Sequence, residues 1–362
     1  MSALVGLHGT DWPDWAHEAQ TSVSALLAGH LATFFRLAPA YGPSLLMRAP
    51  AFALSRLWGG GEVAIYRLSA LPCLAAAAAL ALWLAGQLRH RGAGLTAQAA
   101  TIAVCIASPL AVISLQQGHP EEMLGAVLCV AGVLCAQRDR PIWSGVLVGL
   151  AIANKEWGIL AVGPALVALP HHRLRAMTAM AVAGLGALAP FVLVRASGFV
   201  GQTEGVALHT AGIFNPWQLW WFLGSEAQHG ARTAPAWLAA SGHLLPVAIM
   251  PPLTLLYLAC TRRDPGRRRR DALLLLALLL MLRCALDPWD TVYYPLPFLT
   301  ALLAWEATGT IRPPFIALVG TLLTWFVFQG ATDLFAYRQD LFAAVFLAVS
   351  LPALCLVARR LL

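Results

Sequence analysis

A chain of 362 residues that is 59% hydrophobic and 11% charged, with a mean hydropathy of +0.70, is no ordinary soluble domain. Such a domain would carry about a quarter charged residues. The formal charge of +7 is no sign of nucleic-acid binding, because most of its arginines lie in short connections between apolar runs. The seven cysteines lie in apolar segments without zinc-type spacing, and the chain holds no nucleotide-binding glycine motif.

Residues 1–62 are too polar to span a bilayer and form a first outer loop; residues 63–362 form a multi-helix transmembrane domain. In the loop, Ala25, Leu26, Ala28, Leu31, Ala32 and Phe35 are spaced for an amphipathic helix lying in the interface. A second interfacial helix is predicted from Pro43 to Trp58, with proline in its first turn. Spanning or half-spanning helices follow near 63–85, 96–116, 122–137, 142–153, 157–170, 176–196, 236–260, 272–288, 292–308, 314–330 and 341–358. The fold class is therefore an all-α polytopic membrane bundle of about 11 helical segments, with interfacial helices in the first outer loop.

Charge sets its orientation. Every second connection is rich in arginine: Arg89/Arg91, Arg138/Arg140, Arg173/Arg175, the run from Arg262 to Arg270, Arg312, and Arg359/Arg360. These hold 15 of the 24 basic residues and are expected in the cytoplasm. The opposite face carries 13 of the 17 acids. Counting back puts the N-terminus outside, one helix short of a chain that starts in the cytoplasm; residues 1–9 hold neither a span nor a signal-peptide pattern. An apolar helix encoded upstream of Met1 is the expectation that would close the count.

Two polar islands interrupt the apolar pattern on the outer face. One is Gln116-Gln117-Gly118-His119-Pro120-Glu121-Glu122; the other is Asn154-Lys155-Glu156, which holds the only lysine in the chain. A single helix over 142–170 would invert everything downstream and expose the six-arginine connection, so two short helices meeting at Lys155 are predicted. A charge at that depth costs a few kcal/mol and marks a functional site by default. A salt bridge to Glu121 or Glu122 that merely ties two helices together is the simpler alternative.

From these islands the chain resembles the GT-C membrane glycosyltransferases. The first loop opens with Asp11-Trp-Pro-Asp14, runs through two interfacial helices, and holds Tyr41-Gly42-Pro43 some thirty residues later. The order Gln117-Gly118-His119-Pro120-Glu121, then Arg138-Asp-Arg-Pro141, then Gly145-Val-Leu-Val-Gly149-Leu-Ala-Ile-Ala-Asn154-Lys155 is similar to glycosyltransferase family 87. Asp287-Pro-Trp-Asp290-Thr-Val-Tyr293-Tyr294-Pro295 resembles a later loop of that family. Two departures stand out. Gly42 replaces a basic residue of the Tyr-x-Pro element, with Arg48 available as a substitute, and Glu121 stands where an amide is more usual.

The resemblance implies transfer of a hexose or pentose, mannose first, from a polyprenyl-phosphate carrier to a glycan or glycolipid. The site would face the extracytoplasmic side of the cell (inner) membrane, with no nucleotide, metal or other cofactor. Such chemistry needs a carboxylate base near the acceptor hydroxyl and fixed cations for the leaving phosphate. Asp11 is the first candidate base and Asp14 the second, Asp14 being better suited to a helix cap. Lys155, His119, Arg48, Arg67 and Arg283 are the candidate phosphate contacts, although Arg67, Arg195 and Arg283 also suit snorkelling to headgroups. Glu121, His209, Trp217, Asp290, Tyr293 and Tyr294 are the candidate substrate contacts, with an interfacial aromatic belt as the simpler reading of Trp217. Glu156 is expected to act as a counter-ion to Lys155. A transporter or flippase of a lipid-linked sugar would also use broken helices and midplane charges, but the chain shows no internal repeat. A non-catalytic scaffold would need neither Asp11 nor Lys155.

Overall fold

The computed structural model describes residues 12–195, 214–227, 231–288, 290–331, 334–335 and 338–361. Asp11 and His209 lie outside them. The described chain is almost wholly helical, with one two-residue hairpin, Ser225–Glu226 (β1) against Arg232–Thr233 (β2).

The residues before the first long helix fold into a helical platform. A π-helical turn at Trp15–Ala19 leads into α1 (Gln20–Leu27), α2 (Leu31–Leu37), α3 (Gly42–Ala53) and a 3-10 turn at Leu54–Trp58. The interfacial helix expected from Pro43 is α3. The helix expected through Ala25–Phe35 is instead split, because Gly29 turns left-handed at φ +83° between α1 and α2. The platform has its own apolar core of Trp12, Trp15, Val23, Phe34, Leu45 and Phe52, closed by Tyr66 and Phe191 from the bundle.

The bundle begins with α4 (Glu62–His90), long and apolar enough to cross a membrane. The span expected at 96–116 is two helices, α5 (Leu95–Ile106) and α6 (Pro109–Gln117). Ser108 accepts a hydrogen bond from the Ala111 backbone N–H and caps the second, so the Ser-Pro pair starts a new helix within one crossing. Next come α7 (Glu121–Gln137) and α8 (Pro141–Asn154), which ends at the extended residue Lys155 (φ −153°, ψ 137°). A 3-10 turn at Glu156–Ala161 and α9 (Val162–Ala168) return the chain, as the short-helix reading expected. Helix α10 (Arg173–Arg195) packs on α8 where Gly145 meets the Ala176 backbone and Gly149 meets Met180 and Gly184, allowing close backbone approach.

The second half contains α11 (Ala236–Ser241), α12 (Leu245–Cys260), α13 (Pro265–Arg270), α14 (Ala272–Leu286), α15 (Leu296–Gly309), α16 (Phe315–Trp325) and α17 (Gln339–Leu361). Helix α14 is apolar on all sides and buried from Ala272 to Leu280, the pattern of a helix at the centre of a bundle. Helices α10, α12 and α17 expose Leu185, Leu255 and Leu356, the surface lipid would cover. Cys73, Cys105, Cys129 and Cys284 are packed in the interior, whereas Cys260 and Cys355 face outward.

Contacts between connections separate two ends of the bundle. Gln137 donates to the carbonyls of Arg269 and Arg270, Arg91 to those of Ala307 and Thr308, and Arg267 to those of Arg360 and Leu361. The arginine connections thus gather at one end. The polar islands gather at the other.

Candidate active site

Gly118 organises that other end. It closes α6 at φ +100°, a conformation that favours glycine. A Cβ there would sit 2.6 Å from the backbone nitrogen of Trp15. The platform therefore lies directly on the α6–α7 turn and brings Asp14 to His119. Trp12 stacks on Tyr66 at 4.2 Å and secures the same seam from the α4 side.

His119 sits at the centre. Its Nε2 is 3.0 Å from Asp14 Oδ2 and its Nδ1 is 2.6 Å from Glu121 Oε1. Burial and the charge of Lys155 push the imidazole pKa down, but Glu121 and the hydrogen bonds to Asp14 and Glu121 outweigh them and raise it to about 9. At neutral pH His119 is therefore an imidazolium that donates to both carboxylates. The Tyr41 and Tyr293 rings pack around it at 5.9 and 4.8 Å. The Tyr41 hydroxyl donates to Glu18, and burial keeps it protonated.

Glu121 and Glu122 are both fully buried. Glu121 meets His119, Lys155 Nζ at 3.7 Å and Arg48 Nη2 at 3.4 Å. Glu122 meets Lys155 Nζ at 3.4 Å and Arg283 Nη1 at 3.7 Å, and accepts from the Trp157 indole. Lys155 thus bridges both acids, while its ammonium lies 4.8 Å from the centre of the Tyr41 ring. Glu156 is exposed and makes no ion pair among the described residues; its charge still favours the Lys155 ammonium, behind the closer Glu122 and Glu121. Asn154 fixes the geometry by donating to the Glu121 carbonyl and accepting from Ser44. Four cations, counting protonated His119, interleave with the three carboxylates of Asp14, Glu121 and Glu122, with Glu156 and Asp287 acting on Lys155 and Arg283 from further out.

Exposure divides the candidates. The Asp14 side chain is 38% exposed and makes no capping hydrogen bond; its Oδ1 has no partner among the described residues. The alternative role of a helix cap is therefore not taken up. The Lys155 side chain is 13% exposed. Arg48 and Arg283 are buried against Glu121 and Glu122, and Arg283 also stacks 3.8 Å from the Tyr294 ring centre. Arg67 is half-buried on α4 beside Tyr66.

A second cluster adjoins the first. Trp217 is half-buried, packs on Phe328 and donates to the Asp290 carbonyl. Asp290 is itself buried. Burial and the nearby Asp287 push its carboxyl pKa well up, against the pull of Arg283. Trp217 meets Asp290, and three residues on, Tyr293 packs against His119. Sequence reasoning missed Asn154 and Trp157 as positioning residues and missed the Glu122–Arg283 pair. Asn154 lies in the same island as Lys155 and Trp157 directly after it, which was the available signal.

Gly42 has a local cause. A Cβ at that position would lie 2.5 Å from Phe191 and 2.8 Å from the Ala38 methyl, so no longer side chain fits. Gly42→Ala is expected to cost about 1–3 kcal/mol through overpacking. Thermal unfolding in detergent measures this, and adding Phe191→Leu should recover part of the loss.

His119 makes stability pH-dependent in a defined direction. Its folded value of about 9 lies above the ordinary value of 6.5, so its contribution is complete below about 6.5 and fades as pH rises through about 9. Asp14, Glu121 and Lys155 are the charged groups facing it. Unfolding followed across this window should show the fall in the wild type, and His119→Gln should flatten it.

Residues 18–171 match a family described as alpha-(1->6)-mannopyranosyltransferase, N-terminal domain. The match covers less than half of the chain and supports a membrane glycosyltransferase of GT-C type without naming family 87. It spans Arg48, His119, Glu121, Glu122 and Lys155 but begins after Asp14. No curated protein and no solved structure matches the chain.

Proposed function

We propose that this chain transfers a mannose-like hexose, or a pentose, from a polyprenyl-phosphate carrier to a glycan or glycolipid at the extracytoplasmic face of the cell membrane. The observation that carries the proposal is the linked chain of Asp14, His119, Glu121 and Lys155, which combines an accessible carboxylate with partly accessible cations.

Asp14 takes the proton of the acceptor hydroxyl as the acceptor oxygen bonds to the anomeric carbon. The bond from that carbon to the carrier phosphate breaks, and the electron pair leaves with the phosphate. One base driving direct displacement inverts the anomeric centre. Lys155 and His119 stabilise the departing phosphate. Arg48 and Arg283 hold Glu121 and Glu122 behind them, and Arg67 is a further candidate at the donor edge. Tyr293, Tyr294 and Trp217 offer ring faces to the sugar or the prenyl chain, with Asp290 beneath Trp217. Asp11 and His209 stay as candidates for base and substrate contact.

The test is purified protein in liposomes with radiolabelled polyprenyl-phosphate mannose and a lipid-glycan acceptor. Label is expected to pass to the acceptor without added nucleotide or metal. Movement of intact donor across the bilayer, with no transfer from any of a panel of sugars, would replace the transferase by a flippase.

A further inference from the structure

The arginine-rich end holds a cavity of about 430 Å³, far from Lys155. Its lining includes Arg267, Arg270, Asp271, Trp305, Glu306 and Arg360. We infer that this cavity binds the phosphate headgroup of an anionic phospholipid of the adjacent leaflet.

Both acids in the cavity are engaged. Asp271 lies 3.6 Å from Arg267 Nε and 3.4 Å from Arg270 Nε, and accepts from the Trp305 indole. Glu306 accepts the backbone N–H groups of Ile316 and Ala317 at the start of α16. The arginines are less engaged. Arg267 holds the carbonyls of Arg360 and Leu361 and so fixes the end of α17. The terminal nitrogens of Arg270 have no acceptor among the described residues, nor has any guanidinium nitrogen of Arg360, which rests 5.1 Å from the Trp305 ring centre. Arg270 keeps its terminal nitrogens free while its Nε meets Asp271, and Arg360 keeps its guanidinium free of hydrogen bonds among the described residues while Glu306 lies within its electrostatic reach; such guanidinium forks match phosphate oxygens in pairs.

A nearby cavity of about 270 Å³ provides the contrast. There Arg91 is held by the Ala307 and Thr308 carbonyls, and Arg138 stacks on Trp83 and donates to Leu134. Basic residues at this end do not all keep free donors.

The surroundings favour a lipid over a soluble phosphate. Leu356 lies one helical turn from Arg360 on the same face of α17 and is 67% exposed. Phe315 and Ile316, beside the Glu306 clamp, are exposed as well. A headgroup in the cavity would leave its acyl chains along these apolar side chains. Basic pockets between helices at a membrane surface bind anionic headgroups in this way.

The experiment is native mass spectrometry of the full chain titrated with phosphatidylglycerol, phosphatidylcholine or inorganic phosphate. Phosphatidylglycerol is expected to bind about tenfold more tightly than phosphatidylcholine. The double variant Arg270→Gln, Arg360→Gln should lose roughly that tenfold preference, and the control Arg140→Gln, Arg175→Gln should keep it. Excess inorganic phosphate should not displace the lipid. An equal loss in the control pair, an unchanged preference in the double variant, or displacement by inorganic phosphate would overturn the inference. Because the cavity lies at the opposite end from Asp14, none of these outcomes depends on sugar transfer.

Discussion

Asp14→Asn is expected to lower sugar transfer by about 10²- to 10⁴-fold, the range for loss of a general base. The fold should hold, because the asparagine oxygen can still accept from His119 and the side chain is partly exposed. An unchanged thermal midpoint beside lost turnover would separate chemistry from packing. Asp11→Asn, assayed in parallel, should keep most of the activity. The reverse pattern would move the base to Asp11 and leave Asp14 as the residue that orients His119.

Lys155→Met should affect both stability and transfer. It leaves Glu122 with Arg283 at 3.7 Å as its one remaining cation and takes one of three from Glu121. Breaking a buried ion pair from one side costs about 3–5 kcal/mol, because the remaining charge is neither solvated nor matched. Adding Glu122→Gln removes much of that uncompensated charge and should restore most of the thermal midpoint. Transfer should stay at least ~100-fold down, the scale for losing a preorganised charge-stabilising donor. If the double variant regains transfer, Lys155 is only a tie between helices, and the phosphate role passes to His119.

The alternation of helices was readable because arginine marks every second connection, and the observed ends of the bundle follow that alternation. Lys155 and its break were readable for a related reason: one helix over both segments would have reversed everything after it. The partners of the buried acids were harder to see. Glu122 meets Arg283 and Glu121 meets Arg48 across 161 and 73 positions of sequence. An arginine near a helix end has the same local signature whether it turns inward to an acid or outward to a headgroup. The split at Ser108 was visible as a Ser-Pro start signal inside an apolar run, but hydrophobicity alone ran through it. Gly42 reads in sequence as a lost basic residue. Only the packing of Phe191, 149 positions away, explains why a small residue is there.

The two submerged glutamates have a consequence for turnover. Glu121 and Glu122 already neutralise the ammonium that an incoming phosphate would need. In the transferase reading, donor capture is an exchange of one anion for another, so affinity reflects the difference between two attractions. The same exchange runs backwards once the sugar has moved: the resident carboxylates reclaim Lys155 and help eject the spent carrier. A catalyst arranged in this way trades tight grip for rapid discharge, and the acids it holds in reserve set how fast it can begin again.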